Sequence, residues 1–154
     1  GAHCTIKWPN DVLLDGRKVA GVLCEASMTA AGGRVIAGVG VNVRQRPNDW
    51  PAELRPHVTS LAQALGRSVA LASVAESLVA RMLDLRDVVS RALDDDMLRR
   101  LAGRDALCGH AVTVDGLDAG RADGINVHGA LRVVRPDGTP GLVHAGTVRI
   151  VTDT

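Results

Sequence analysis

The chain has 154 residues, of which 46% are apolar, and its 18 basic and 17 acidic side chains give a formal net charge of +1. This length fits one ordinary domain, or one and a half, with enough apolar residues for a real core. Near-zero net charge excludes a global field that would attract nucleic acid or an anionic membrane, so a charged ligand must be held locally. No apolar run approaches the roughly 20 residues of a transmembrane helix and no secretory signal is recognisable, so we expect a cytoplasmic protein.

Strand signals dominate the first 25 residues. Thr5–Trp8 is expected to be extended, since Pro9 disfavours the α region for the residue before it. Val12–Leu14 and Val19–Glu25 flank an Asp15-Gly16 pair, which supplies the positive φ values of a tight turn. The sequence therefore predicts a hairpin here.

A second hairpin is predicted, with Gly32-Gly33 as its turn and Arg34–Val43 as its returning strand. This strand contains "GVGVNV", the start of a glycine-rich dinucleotide loop. That loop requires a third glycine and a following helix, whereas "VRQRPNDWP" follows Asn42, so we exclude it. Gly38 and Gly40 share one strand face, where either a ligand or another backbone approaches closely, or the sheet simply packs.

Helices are predicted after a loop at 47–56. Ser60-x-x-Gln63 and Ser73-x-x-Glu76 have the pattern of capping boxes, and Gly66 is placed to end the first helix. The second helix is expected to pack through one apolar stripe, formed by Val74, Leu78, Met82, Leu85, Val89 and Leu93. Asp94–Asp96 are expected to cap a last short helix ending at Gly103.

The sequence pattern of residues 104–154 is typical of a separate, all-β module. Short β-rich runs alternate with "DG", "GRADG", "HG" and "PDG", which predict turns of a small antiparallel barrel. We therefore place a domain boundary between 1–103 and 104–154. Three histidines lie in this module: His110, His128 and His144. They lack partners at metal-ligand spacing, so we expect solvated or packed side chains rather than a metal site.

Three cysteines are spread along the chain: Cys4, Cys24 and Cys108. They lack the paired spacing of a zinc site or a disulfide framework. We expect each to be a small, buried apolar residue.

Lys7 and Lys18 are the only lysines among the 18 basic residues. An ammonium is a compact point charge that fits a small polar pocket, unlike the flat guanidinium of arginine. The two lysines therefore indicate a site for phosphate or carboxylate oxygens, with two ordinary surface lysines as the alternative.

Three motifs in order, "KWPND", "KVAGVLCE" and "GVGVN", resemble those of the biotin protein ligases. The later stretch "GHAVTVDGLDAGRADGINVHGALRVV" resembles the SH3-like module of these enzymes. The resemblance implies an α+β fold, with part of a class II synthetase-like catalytic domain in 1–103 and a small SH3-like β-barrel in 104–154.

The resemblance also implies a two-step reaction. Biotin and ATP, with Mg²⁺, give biotinoyl-5′-AMP and pyrophosphate, and the biotinoyl group then passes to a lysine of a biotin carboxyl carrier domain. The activity would be that of an ATP-dependent biotin ligase acting on acetyl-CoA carboxylase or a related acyl-CoA carboxylase. A homodimer is left open.

Residue roles follow by similarity. Lys18 would lie against the biotin carboxylate and the α-phosphate, and Lys7 against the ATP phosphates. Asn10 and Asn42 would lie beside the adenylate, and Asp11 would hold Mg²⁺ or the acceptor amine. The biotin pocket would be lined by Gly21, Val22, Leu23, Gly38 and Val41. A turn-and-cap pair is the alternative for Asn10 and Asp11, and a core role is compatible with ligand contact for the valines.

The family's glycine- and arginine-rich loop, G-R-G-R, does not occur in the 154 residues. We therefore expect the C-terminal portion of a ligase. Two alternatives remain open: a non-catalytic remnant or half of a split ligase that serves as a binding module through an exposed sheet edge, and a lipoate-type ligase of related fold.

Overall fold

Four strands near the start of the chain form one sheet in the computed structural model, which describes residues 3–29, 32–85 and 92–151. The strands are β1 (Cys4–Lys7), β2 (Asp11–Leu14), β3 (Arg17–Thr29) and β4 (Gly32–Val41), and their order in the sheet is β1-β2-β3-β4. Strand β3 pairs antiparallel with both β2 and β4.

The predicted first hairpin is confirmed. Leu14 pairs with Arg17, and the two residues between them, Asp15 and Gly16, have φ values of 48° and 77°. An Asp-Gly pair tolerates these left-handed values, and the resulting turn matches the twist of the strands. Strand β3 is longer than predicted: it runs over Arg17–Thr29 rather than Val19–Glu25.

The turn of the second hairpin was placed wrongly. Gly32 and Gly33 belong to β4, where they pair with Thr29 and Met28. Two strand glycines were thus mistaken for turn glycines, because a Gly-Gly pair occurs both in tight turns and in strands. Residues 30 and 31 lie outside the described part of the chain.

In the described ranges, three α-helices follow a short 3-10 helix at Pro47–Asp49: α1 (Leu61–Leu65), α2 (Leu71–Leu85) and α3 (Asp95–Ala102). The predicted caps of α1 and α3 are confirmed. Ser60 Oγ accepts a hydrogen bond from the Gln63 N–H, and an Asp94 carboxylate oxygen accepts one from the Met97 N–H. These bonds satisfy helical N–H groups that have no partner within the helix.

The predicted start of α2 at Ser73 is wrong. The helix begins at Leu71, and the Ala70 carbonyl already accepts a hydrogen bond from the Val74 N–H. Ser73 therefore lies inside the first turn, where its hydroxyl has no capping position. The backbone bonds of the helix determined its start, rather than the Ser-x-x-Glu pattern.

The apolar stripe of α2 is only partly covered. Val74 and Leu78 are half-buried, whereas Met82 is 37% exposed. Leu93 lies beyond the helix and donates its N–H to the Val127 carbonyl. The side chain of Leu85 and the whole of Val89 fall outside the described part.

Five strands form a second, antiparallel sheet with the order β8-β7-β6-β5-β9. They are β5 (Ala111–Val114), β6 (Leu117–Ile125), β7 (Leu131–Val134), β8 (Pro140–Val143) and β9 (Val148–Ile150). Over the described residues this order has two ends, β8 and β9, and no closed barrel is seen. The "GRADG" segment at 120–124 was wrongly predicted as a turn: it lies within β6, where the pairing register with β7 shifts between Ala122 and Ile125.

The core of the second sheet is one apolar cluster. Its fully or nearly buried members are Trp8, Leu107, Val112, Ala122, Leu131, Val133 and Val148. The Trp8 indole Nε1–H donates a 2.8 Å hydrogen bond to the Gly129 carbonyl, so its polar atom is satisfied.

The chain divides into two compact units. The first comprises Gly1–Thr5 and Asn10–Ala80, and the second Ile6–Pro9 and Arg81–Thr154. Buried residues of the first unit include Leu14, Val19 and Val43. The domain boundary placed after residue 103 stays a prediction.

The three cysteines are unpaired, as their spacing predicted, but all three are exposed. The expectation that they are buried is therefore wrong: Cys4 and Cys24 lie at exposed positions of β1 and β3, and Cys108 lies in a turn before β5. His110, His128 and His144 are also exposed, and the described residues contain no cluster of three or more metal-ligating side chains. Within the same ranges, no helix has the length and apolar character needed to cross a membrane.

Candidate functional site

A bulge in β3 brings Lys18 to the same sheet face as Asp11. The register between β2 and β3 shifts next to Leu13, which pairs with Lys18, so that Val19 is the extra residue. In an unbroken ladder Lys18 would pair with Leu14 and lie on the other face. Val19 is 3% exposed, so burial of the extra residue holds the bulge in place.

The two charged side chains form an ion pair. Lys18 Nζ lies 2.5 Å from Asp11 Oδ1, and the side chains are 43% and 22% exposed. An ammonium has three N–H donors. Asp11 Oδ1 accepts no hydrogen bond from the described residues, so the ion pair leaves these donors for the oxygens of an anionic ligand.

Gly21 leaves room for this ion pair. It lies opposite Asp11 in the sheet, and a Cβ added to it would come within 3.3 Å of both Lys18 Cε and Nζ. A side chain at position 21 would therefore displace the ammonium.

The Lys18 backbone is held by a distant segment. Its N–H donates to the His57 carbonyl and its carbonyl accepts from the Thr59 N–H, both at 2.8 Å. Thr59 and its neighbour Ser60 are completely buried. Sequence analysis missed this contribution, because nothing near residues 57–60 indicates a contact with residue 18.

Asn42 connects the same elements. Its N–H donates to the Val19 carbonyl at 2.8 Å, and its side-chain Nδ2 donates to the Thr59 carbonyl at 3.1 Å. Asn42 therefore holds β4, the bulge of β3 and the 57–59 segment together. Its predicted contact with an adenylate stays a prediction.

An open cleft of about 580 Å³ lies over these strands. It is lined by Asn10, Lys18, Gly21, Val22, Leu23, Gly38, Val39 and Gly40. Six of these were predicted as site residues, whereas Val39 and Gly40 were not. Strand alternation along "GVGVN" had placed Gly40 on one face with Gly38, with ligand approach as one of the alternatives there.

The floor of the cleft is poor in side chains. Gly21 pairs with Gly40, and Leu23 pairs with Gly38. Paired residues and residues two apart share a face, so three glycines and Leu23 lie on the face of Lys18 and Asp11. Leu23 is 62% exposed and is the apolar side chain at the far end of this row from Lys18.

Of the other predicted site residues, Asn10 and Val22 line the cleft, whereas Val41 and Lys7 are not among its lining residues. Alternation places Val22 and Val41 on the opposite face from Gly21. Val41 borders a second hollow of about 330 Å³, whose other lining residues are Val43, Arg44, Gln45, Asp49 and Leu71. Asn10 is exposed and its carbonyl accepts the Val22 N–H at 2.9 Å. Lys7 is half-buried at the end of β1 and belongs to the second unit.

These features suit an anion with an apolar body. A fixed, partly exposed ammonium favours carboxylate or phosphate oxygens, and the glycine floor admits a group that lies close to the backbone. The Asp11 carboxylate is directed at Lys18, so a metal ion at Asp11 would compete with the ammonium.

The chain was compared with known protein families and curated proteins. Residues 1–42 match the model of the Biotin/lipoate A/B protein ligase family. The bifunctional ligase/repressor BirA of Bacillus subtilis is 45% identical over 82 residues, which are 51% of this chain and 25% of BirA. The biotin--[acetyl-CoA-carboxylase] ligase of Mycobacterium tuberculosis is 33% identical over 114 residues, which are 74% of this chain and 40% of that protein. The chain thus spans well under half the length of these curated relatives.

Solved structures show the same fold. The apo biotin protein ligase from Aquifex aeolicus superposes with a TM-score of 0.79 at 23% identity, covering 96% of this chain and 65% of that one. The same ligase in complex with biotin and ATP gives a TM-score of 0.75 at 22% identity, with 96% and 62% coverage. The comparisons confirm the resemblance to biotin protein ligases that the three motifs predicted.

Proposed function

We propose that this chain carries part of the active site of a biotin protein ligase, which joins biotin to ATP and then to a carrier lysine. The observation that carries the proposal is the Lys18 ammonium, held 2.5 Å from Asp11 beside a cleft floored by glycines. The matched family and the relatives named as biotin ligases support the choice of biotin over other carboxylic acids.

In the first step, a biotin carboxylate oxygen attacks the α-phosphorus of ATP. A P–O bond forms, the bond to the β-phosphate oxygen breaks, and pyrophosphate leaves. Two anions repel each other during this approach, and Lys18 lowers that repulsion and stabilises the charge that builds up on the α-phosphate. Lys7 and Asn42 are proposed to bind the nucleotide, and Asn10 to lie beside the adenylate.

In the second step, the acceptor amine attacks the biotinoyl carbon. A C–N bond forms, the C–O bond to AMP breaks, and the amine loses a proton. We assign Asp11 first to positioning Lys18, since its Oδ1 contacts that ammonium. Contact between Asp11 and the acceptor amine is a further part of the proposal.

Magnesium would shield the phosphates of ATP when it is bound. Mg²⁺ usually keeps several waters and takes one or two carboxylates together with substrate phosphates. Asp11 supplies one carboxylate, and the described residues hold no cluster of three metal-ligating groups. Asp11 is therefore the residue that would hold the ion together with the ATP phosphates, in competition with Lys18, and the reaction steps above rest on the side chains.

The partner is proposed to be the biotin carboxyl carrier domain of an acyl-CoA carboxylase, in the cytoplasm. The relatives' names support this acceptor. The five-stranded sheet is proposed to be the counterpart of the SH3-like module. A homodimer stays a prediction.

The test is adenylate formation by the 154-residue chain, followed with α-labelled ATP and biotin. We expect labelled biotinoyl-AMP from the wild type and a loss of about 100-fold in the Lys18→Ala variant, the size seen when one charge-stabilising group is removed. Arg34→Ala, which removes an exposed cation of β4, is the matched control and should keep the wild-type rate. Equal rates in wild type and Lys18→Ala would refute the role of Lys18.

A further inference from the structure

Gly40 is a glycine that the fold itself does not require. Among the described glycines it is the one whose φ lies outside the left-handed region and whose added Cβ would meet nothing within 4 Å. Glycine in a strand interior destabilises a protein relative to alanine. No contact with a described residue therefore explains the glycine at this position.

The neighbouring glycines have different reasons. A Cβ at Gly21 would make a tight contact of 3.3 Å with Lys18, whose side chain would have to shift, and one at Gly33 would lie 2.5 Å from the Met28 sulfur. At Gly38 the nearest atom is the Leu23 carbonyl oxygen at 3.7 Å, an ordinary contact. Of these four glycines, Gly40 alone has no atom within 4 Å of an added Cβ, and the space there belongs to the cleft.

We propose that Gly40 is the size-determining position of the cleft, because a ligand ring lies flat against its backbone. This inference rests on the proposed function for the identity of the ligand. The carboxylate of the bound acid points to Lys18, whose side chain fills the space over Gly21. The ring of the acid covers Gly40, and Leu23 beside Gly38 gives apolar contact beyond. Any side chain at position 40 occupies the volume of that ring.

The geometry explains why the two paired glycines act differently. An alanine at 21 acts on the ligand through Lys18, since it moves the ammonium. An alanine at 40 leaves the ion pair in place and acts by excluded volume alone. A larger side chain at position 40 thus lowers the affinity for the ligand more, while the protein stays folded.

The experiment measures biotin affinity by titration calorimetry in the 154-residue chain and three variants: Gly40→Ala, Gly40→Val and Ala37→Val. Ala37 lies three residues away on the same strand, pairs with Cys24 and faces away from the cleft, so it is the control for added bulk in β4. Melting temperatures of all four proteins are recorded alongside.

We expect about a tenfold loss of affinity in Gly40→Ala, as for one methyl group misplaced in a pocket, and no measurable binding in Gly40→Val. Ala37→Val should bind as the wild type does, and Gly40→Ala should melt at or above the wild-type temperature. Unchanged affinity in Gly40→Val overturns the inference, and so does a clear drop in the melting temperature of Gly40→Ala.

Failure of the proposed function is distinguishable from failure of this inference. If the wild type binds biotin and Gly40→Val does so equally well, only the role of Gly40 falls. If Gly40→Val loses binding but Lys18→Ala forms adenylate normally, only the role of Lys18 falls. A wild type that binds no biotin overturns both.

Discussion

The Lys18–Asp11 pair is the feature on which the site depends at the scale of single residues. An arginine would carry the same charge, but its broad, flat guanidinium does not fit beside the Gly21–Asp11 pair as a compact ammonium does. Sequence analysis singled out Lys18 because the chain otherwise uses arginine. It could not give the 2.5 Å contact with Asp11, which depends on a bulge with no local sequence signature.

Asp11→Asn tests the positioning of Lys18. The amide keeps the size of the side chain but removes the charge that holds the ammonium. We therefore expect the rate of adenylate formation to fall about tenfold, a smaller loss than a fully misplaced catalytic group causes. Stability should change by about 1 kcal/mol or less, because the pair is partly exposed. The rate is measured with α-labelled ATP, and stability by urea unfolding.

Asp96→Asn is the control for this prediction. Asp96 contacts Arg99 on the surface of α3, with both side chains about two-thirds or more exposed, so its loss should leave the rate unchanged. A wild-type rate in Asp11→Asn would mean that Lys18 needs no carboxylate to hold it.

At the scale of elements, turns and caps follow local rules. The Asp15-Gly16 turn and the Ser60 and Asp94 caps were predicted correctly because a few neighbouring residues determine them. The start of α2 and the Gly32-Gly33 turn were not, since helix hydrogen bonding and strand pairing overrode the local pattern. The bulge at Val19 belongs to this second group, and it is the one that places Lys18.

The buried N-cap of α1 is the element whose loss should matter most to the site. Ser60 is completely buried; its Oγ donates to the Gln45 carbonyl at 2.8 Å and accepts from the Gln63 N–H at 3.3 Å. We expect Ser60→Ala to lower the free energy of unfolding by about 1–3 kcal/mol, because it removes the cap and leaves the part-buried Gln45 carbonyl without its donor.

Urea unfolding measures this change, with Asp94→Ala as the comparison. Asp94 caps α3 from an exposed position, so its loss should cost about 1 kcal/mol. If Ser60→Ala costs no more than Asp94→Ala, burial of the cap adds nothing, and the 57–60 segment supports Lys18 less than we infer.

For the molecule as a whole, the order of motifs predicted the fold family, while only the structure gave the arrangement of the site. Lys18 is fixed by residues 57–59, some forty positions later in the chain, and no pattern near either segment indicates that contact. Val22 and Val41 were predicted to line one pocket with Gly21. Val22 and Gly21 both line the cleft, whereas Val41 borders the second hollow, and strand alternation places the side chains of both valines on the opposite face from Gly21. The motifs supplied these candidate residues without indicating the sheet face on which each side chain lies.

The central claim is that the cleft beside Lys18 binds the carboxylate of biotin. Isothermal titration of the 154-residue chain with biotin, and then with biotin plus MgATP, tests it most directly, with Lys18→Ala as the paired sample. We predict measurable binding of biotin to the wild type, further heat when MgATP is added, and loss of both in Lys18→Ala. The absence of any heat in the wild type, or the same heat in both proteins, would contradict the claim.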